Sequence, residues 1–143
     1  MKSNRAFTMV ELMVVVLIVG ILAAVAVPLM SGRVDASKWS EGKAAMGTIA
    51  SAVRAYAAEK GTFASTPTLS DIGISANELD GTYFSNACYA LTSASCSTPG
   101  QVNFVITCTA VSSSRSSKPT KPASMTLTSS AANSYVATFA EGS

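Results

Sequence analysis

The amino-acid sequence predicts an α+β chain: one long N-terminal helix, kinked at Pro28, packed on a small antiparallel β-sheet. Three observations point there. No residue from Leu12 through Met30 is charged. Beyond that run, apolar residues recur at helical spacing as far as Tyr56. From Tyr83 the period of the apolar pattern changes to two.

The apolar run is long enough to cross a bilayer, which takes about 20 helical residues. Lys2 and Arg5 precede it and no comparable basic cluster directly follows, which places the N-terminus on the cytoplasmic side. A cleaved secretory signal fits poorly, because the apolar core is too long and no small-x-small cut site follows it. Glu11 is the only charge between Arg5 and Arg33. An acidic residue at the centre of a membrane helix costs about 2.5–3.5 kcal/mol, and less near the interface. A carboxylate kept at the front of such a run therefore calls for a partner.

Met1-Lys2-Ser3-Asn4-Arg5-Ala6, followed by Phe7-Thr8-Met9-Val10-Glu11-Leu12-Met13-Val14-Val15, resembles the type IV prepilin and pseudopilin signature. The resemblance implies that residues 1–6 are a leader cut between Ala6 and Phe7 by a dedicated prepilin peptidase, which also N-methylates Phe7. The family usually has Gly where Ala6 stands. Residues 7–30 would serve as membrane anchor and later as filament core, Glu11 as the acidic position that sets subunit register, and Pro28 as the helix-bending proline. The implied partners are further subunits in a homopolymer, the peptidase/methylase, an inner-membrane assembly platform and the membrane before assembly. The implied location is the inner membrane as a single-pass protein, then an extracellular pilus or a periplasmic pseudopilus. No cofactor is implied. Physical chemistry agrees with the role of Glu11: its carboxylate can pair with the α-amine released at Phe7 of a neighbour, neutralising two groups that are expensive apart in an apolar bundle. A slipped neighbour would leave both unpaired.

Residues 31–60 read as an amphipathic continuation. Trp39, Gly42, Met46, Ile49, Val53 and Tyr56 form a seam, with Lys38, Glu41, Lys43, Arg54, Glu59 and Lys60 mostly off it. Apolar stripes at this period face a core, so Trp39, Met46 and Ile49 are expected to pack rather than to bind a ligand. Pro28 removes a backbone donor, so a kink or a melted turn is expected there. Gly61 is placed as the left-handed cap that ends the helix.

Residues 61–143 read as a globular head. Leu69, Ile72, Ile74 and Leu79 are expected core contacts, and Ser75-Ala76-Asn77-Glu78 fits a capping box. Residues 83–92, 102–111, 124–129 and 134–140 read as strands, the first two joined across Ser97–Gly100. Phe104, Ile106, Cys108 and Ala110 fall on one face. A register pairing Ala90 with Ile106 would set Cys88 opposite Cys108. That makes Cys88–Cys108 the first disulfide candidate and Cys88–Cys96 the second, with buried unpaired thiols as the alternative. Ser112–Pro122, with Arg115, Lys118 and Lys121, reads as a solvated loop.

Composition narrows the function. The chain has no histidine, which excludes His-based acid–base catalysis, Ser-His-Asp triads and His metal sites. No paired carboxylates or phosphate-binding Gly loop take their place, so no catalytic or metal residue is assigned. Lys2 and Arg5 account for the formal net charge of +2, and a neutral remainder argues against general nucleic-acid binding. The leading expectation is a pilin, a structural filament subunit. A type II secretion pseudopilin is the alternative within the family, as is a minor pilin using the Arg115–Lys121 loop for DNA or adhesion. Many major pseudopilins carry an acidic calcium loop near the C-terminus. Here only Glu141 is acidic after Asp80, which favours the pilin.

Overall fold

A computed structural model describes residues 7–142. The chain divides into two units, Met1–Val34 and Asp35–Ser143. Helix α1 (Met9–Lys60) belongs to both, and the helical assignment is unbroken through Pro28, so no turn is melted there. In the first unit the described side chains of α1 are exposed, Val10, Leu17, Leu22 and Met30 among them, as is Phe7 before it.

The second unit holds the core. The predicted seam is confirmed: Trp39, Met46, Ile49 and Val53 are fully buried, while Tyr56 is partly buried at its end. Trp39 packs on Phe84 with ring centroids 4.8 Å apart. Its indole N–H has no acceptor among the described residues, so the ring is held by packing alone. The helix ends where expected: Gly61 takes φ +79° and its N–H bonds the Ala57 carbonyl at 2.9 Å. That left-handed turn is open to glycine without a steric penalty. Ile72, Ile74 and Leu79 are buried beside the helix, with Leu69 partly so. A short 3₁₀ turn at Ala76–Leu79 carries the expected cap, the Glu78 carboxylate accepting from the Ser75 N–H at 2.8 Å.

Four antiparallel strands follow in the order β1 (Tyr89–Thr98), β2 (Gln101–Thr109), β3 (Ser124–Ser129), β4 (Thr138–Gly142). Val102, Phe104, Ile106 and Cys108 of β2 and Met125 and Leu127 of β3 form the buried face, as their alternation predicts. Phe63 bridges to Cys96 along β1 through a reciprocal pair of backbone bonds.

The first strand begins later than the sequence suggests. The N–H groups of Thr82, Tyr83 and Phe84 all donate to the Glu41 carboxylate, at 3.0, 2.8 and 3.0 Å, so they cannot enter a ladder. Gly81 makes this approach possible, since a Cβ there would collide with that carboxylate. A 3₁₀ turn at Asn86–Cys88 then feeds β1. The last strand is shifted too, because Ser134 and Tyr135 adopt left-handed backbone (φ 54° and 61°).

The β1–β2 register also differs from expectation. Leu91, not Ala90, faces Ile106, and Tyr89, not Cys88, faces Cys108. The assumed cross-strand position of Cys88 does not arise, because Cys88 closes the 3₁₀ turn before β1 starts. All three cysteines are buried free thiols in this structure. Burial, with Cys88 beside it, pushes the Cys108 thiol up to about 12.

A second carboxylate of α1 also captures a loop. Asp35 Oδ2 accepts from the Thr120 hydroxyl at 2.6 Å and from the N–H groups of Thr120 and Lys121, each at 3.0 Å. The Thr120 hydroxyl is the main reason the Asp35 carboxyl titrates below its ordinary value. Burial opposes this, while the two backbone bonds and Lys38 reinforce it.

Two predictions follow from these clamps. Glu41→Ala leaves three amide donors without their acceptor and should lower the unfolding free energy of the full-length chain in detergent by about 1.5–3 kcal/mol. Thermal or denaturant melts followed by the near-ultraviolet signal of Trp39 would measure it. For Asp35 the folded-state value is the lower one, so its stabilisation is complete above the unfolded carboxyl value and is lost as pH falls through the folded value. Asp35→Asn should therefore reduce stability at neutral pH and flatten the acid limb of the stability–pH curve.

Candidate assembly site at the helix N-terminus

The predicted site lies at the start of α1. Ala6 falls outside the described residues; Phe7 is exposed. Thr8 precedes the first helical residue, and Glu11 stands three residues after it. Glu11 Oε2 accepts from the Thr8 N–H at 2.9 Å and from the Thr8 hydroxyl at 2.7 Å, while the Glu11 N–H donates to Thr8 Oγ1 at 3.2 Å. This is a reciprocal capping box, and it satisfies backbone donors that no helical carbonyl can reach. A carboxylate in the first turn also faces the positive end of the helix dipole.

Sequence reasoning treated Glu11 as a charge in need of an external partner and missed Thr8. The signal was present, since Thr8-x-x-Glu11 has the same spacing as Ser75-x-x-Glu78. The local box means that Glu11 has hydrogen-bond donors within its own chain. It uses only Thr8 and Glu11, so a cut between Ala6 and Phe7 would leave both its members in place.

The Arg115–Lys121 loop offers little free charge. Arg115 lies 3.7 Å from the Asp80 carboxylate. The Lys118 ammonium donates to the carbonyls of Val111 and Ser113 at 3.1 and 3.2 Å. The Lys121 backbone is tied to Asp35. These contacts spend two of the three side-chain charges inside the head, where they fix the loop rather than await an anion.

Comparison with known proteins bears on the N-terminal segment first. Residues 1–27 match the prokaryotic N-terminal methylation motif. The chain is 44% identical over 57 residues to the type IV major pilin protein PilA of Myxococcus xanthus, a match covering 40% of this chain and 26% of that protein. It is 38% identical over 65 residues to the type II secretion system core protein G of Pseudomonas aeruginosa, covering 46% of each. The matches thus span about a quarter and about half of the length of these curated relatives. No solved structure matches the chain. The resemblance read from the N-terminal residues is upheld: the chain carries the methylation motif and is homologous to a type IV pilin and a pseudopilin.

The capping box makes a local prediction. Thr8→Val removes the hydroxyl and should fray the first turn, so the amides of Glu11 and Leu12, which bond Thr8, lose hydrogen-exchange protection in micelles while those beyond Val14 keep it. Unchanged protection would mean that the box does not hold the helix start.

Proposed function

We propose that this chain is a structural pilin: a subunit that is anchored in the inner membrane through residues 7–30, is cut between Ala6 and Phe7, is N-methylated at Phe7 and polymerises through its N-terminal helix. The observation that carries this reading is the surface from Phe7 to Val27, exposed along its length and headed by a single carboxylate within a methylation motif. Its most apolar window reaches a mean hydropathy of 3.0. The large apolar side chains Leu12, Val14, Val15, Val16, Leu17, Ile18, Val19, Ile21, Leu22, Val25 and Val27 each favour membrane insertion by about 0.3–0.6 kcal/mol at a helix centre, roughly 3–7 kcal/mol together. A carboxylate near the interface opposes this by less than about 2.5–3.5 kcal/mol, so insertion prevails.

In the assembled state the same surface would be covered by neighbouring helices, and the Glu11 carboxylate would meet the methylated amine of an adjacent Phe7. The Thr8 box gives Glu11 a resting partner before that exchange. Pro28, where the backbone lacks a donor, is the proposed point of bending. The prepilin peptidase and an inner-membrane assembly platform are the expected partners, and an extracellular pilus the expected destination. A periplasmic pseudopilus is the second reading, supported by the similarity to the secretion system core protein G. The single acidic residue after Asp80, Glu141, weighs against it. The role is structural, not enzymatic.

Mass spectrometry of the mature protein should find N-methyl-Phe7 as its first residue; an intact Met1 in surface material would contradict the reading. Glu11→Ala should be inserted and processed but should assemble poorly, and normal filaments from that variant would remove the register role.

A further inference from the structure

The second half of α1 presents two flanks, and each ends in a cleft of different charge. On one flank Ala45, Thr48 and Ala52 line a cleft of about 270 Å³ with Ile72, Gly73 and Glu78. An adjoining cleft of about 220 Å³ shares Ala52, Ile72 and Gly73 and adds Glu59 and Asp71. The result is a groove floored by small side chains and rimmed by three carboxylates. Their local bonds are partial. Asp71 accepts from Thr68 through Oδ2 alone, and Glu78 accepts from Ser75 through Oε2 alone. The Glu59 side chain is 75% exposed and lies 3.8 Å from Lys60.

The opposite flank is cationic. Arg54, Ala57 and Ala58 line a cleft of about 190 Å³ with Gly100, Val102 and Tyr135. Its lip is fixed: the Tyr135 hydroxyl donates to Gln101 Oε1 and the Ser129 hydroxyl donates to the Tyr135 carbonyl, both at 3.0 Å. The Arg54 guanidinium sits 5.2 Å from the centre of the Phe104 ring. Lys43, about three turns earlier on the same line of the helix, places its ammonium 5.7 Å from the Phe139 ring. Neither cation has a carboxylate partner among the described residues. The ring faces orient both heads without neutralising them.

We propose that these flanks are the two halves of one contact between copies of this chain, with Arg54 and Lys43 of one subunit seated against the Glu59, Asp71 and Glu78 rim of the next. The inference rests on the polymerisation reading and names the surfaces that orient the heads. Charge decides the pairing. The two flanks lie on opposite sides of the same helix and cannot meet within one chain, and a two-fold contact would set like charge against like. A contact between unlike patches is heterologous, which is what an open filament requires. The small side chains flooring the acidic groove let a neighbouring surface approach closely, and complementary rims fix which way it faces.

Zero-length carbodiimide coupling of the full-length chain in its native membrane tests this directly. It joins an ammonium to a carboxylate in contact. The cross-linked dimer should contain a Lys43 peptide joined to a Glu59, Asp71 or Glu78 peptide, and its yield should fall as salt rises. Arg54→Glu should lower that yield by roughly fivefold, the upper range for one surface pair. Arg54→Glu combined with Glu59→Arg in the same chain should restore it through Asp71 or Glu78, because positions 54 and 59 again carry opposite charges across the contact. Dimers that form without such a link, at wild-type yield in Arg54→Glu, would overturn the assignment of the flanks and leave polymerisation standing. No dimers from the wild-type chain would overturn both.

Discussion

An apolar helical surface that its own chain does not cover must be covered by something else. From Phe7 to Val27 the segment carries valine, leucine, isoleucine and methionine on all sides, and they lie exposed. A helix apolar all round belongs in a membrane or inside a bundle. In the proposed function it occupies both in turn, lipid first and then neighbouring subunits. Every other feature of the N-terminal segment is subordinate to that need. In that proposal the basic residues before it would set its orientation, and the one polar device it carries would have to be tolerated by both environments. The Thr8–Glu11 box provides that tolerance, because it gives the carboxylate hydrogen-bond donors from its own first turn. A register contact to a neighbour's amine would then be an exchange of partners rather than the rescue of an unsatisfied charge.

In the second unit the helix does different work with the same backbone. One face, from Trp39 to Val53, is the floor of the head's core. Two carboxylates at its margins hold the loops that the sheet leaves free, Asp35 the segment at Thr120–Lys121 and Glu41 the segment at Thr82–Phe84. These are charge-assisted bonds to backbone donors, stronger than neutral ones and demanding in geometry. They explain how two loops of a head rich in serine, threonine and alanine are held at the margins of its core.

Much of this was legible in the sequence, and the misses have physical causes. The core seam, the Gly61 cap, the Ser75 turn and the buried face of β2 are local patterns with fixed periods, and the structure reproduces them. The start of β1 was read too early because Tyr83 and Phe84 look like strand residues. Their amides are claimed by Glu41, which lies more than forty positions away, and a bond to a backbone N–H leaves no mark on the residue that donates it. The register is set from the other end of the hairpin, where Thr98 faces Gln101. It is shifted by irregularities between Cys96 and Thr98 and between Leu91 and Ser93, which no simple alternation reveals; Cys88 lies outside the ladder. Of the candidate site, the apolar run and Glu11 were evident. The capping partner Thr8 had a recognisable spacing but was eclipsed by the question of what lay outside the chain.

The central claim is that the exposed surface of Phe7–Val27 becomes the interior of a polymer. Electron cryomicroscopy of filaments sheared from cells, with the subunit identified, tests it most directly. The account predicts residues 7–30 enclosed by the helices of other subunits, with each Glu11 carboxylate in contact with the N-terminal amine of a neighbouring Phe7. Filaments whose helices remain apart, with Glu11 bonded only to its own Thr8, would contradict it.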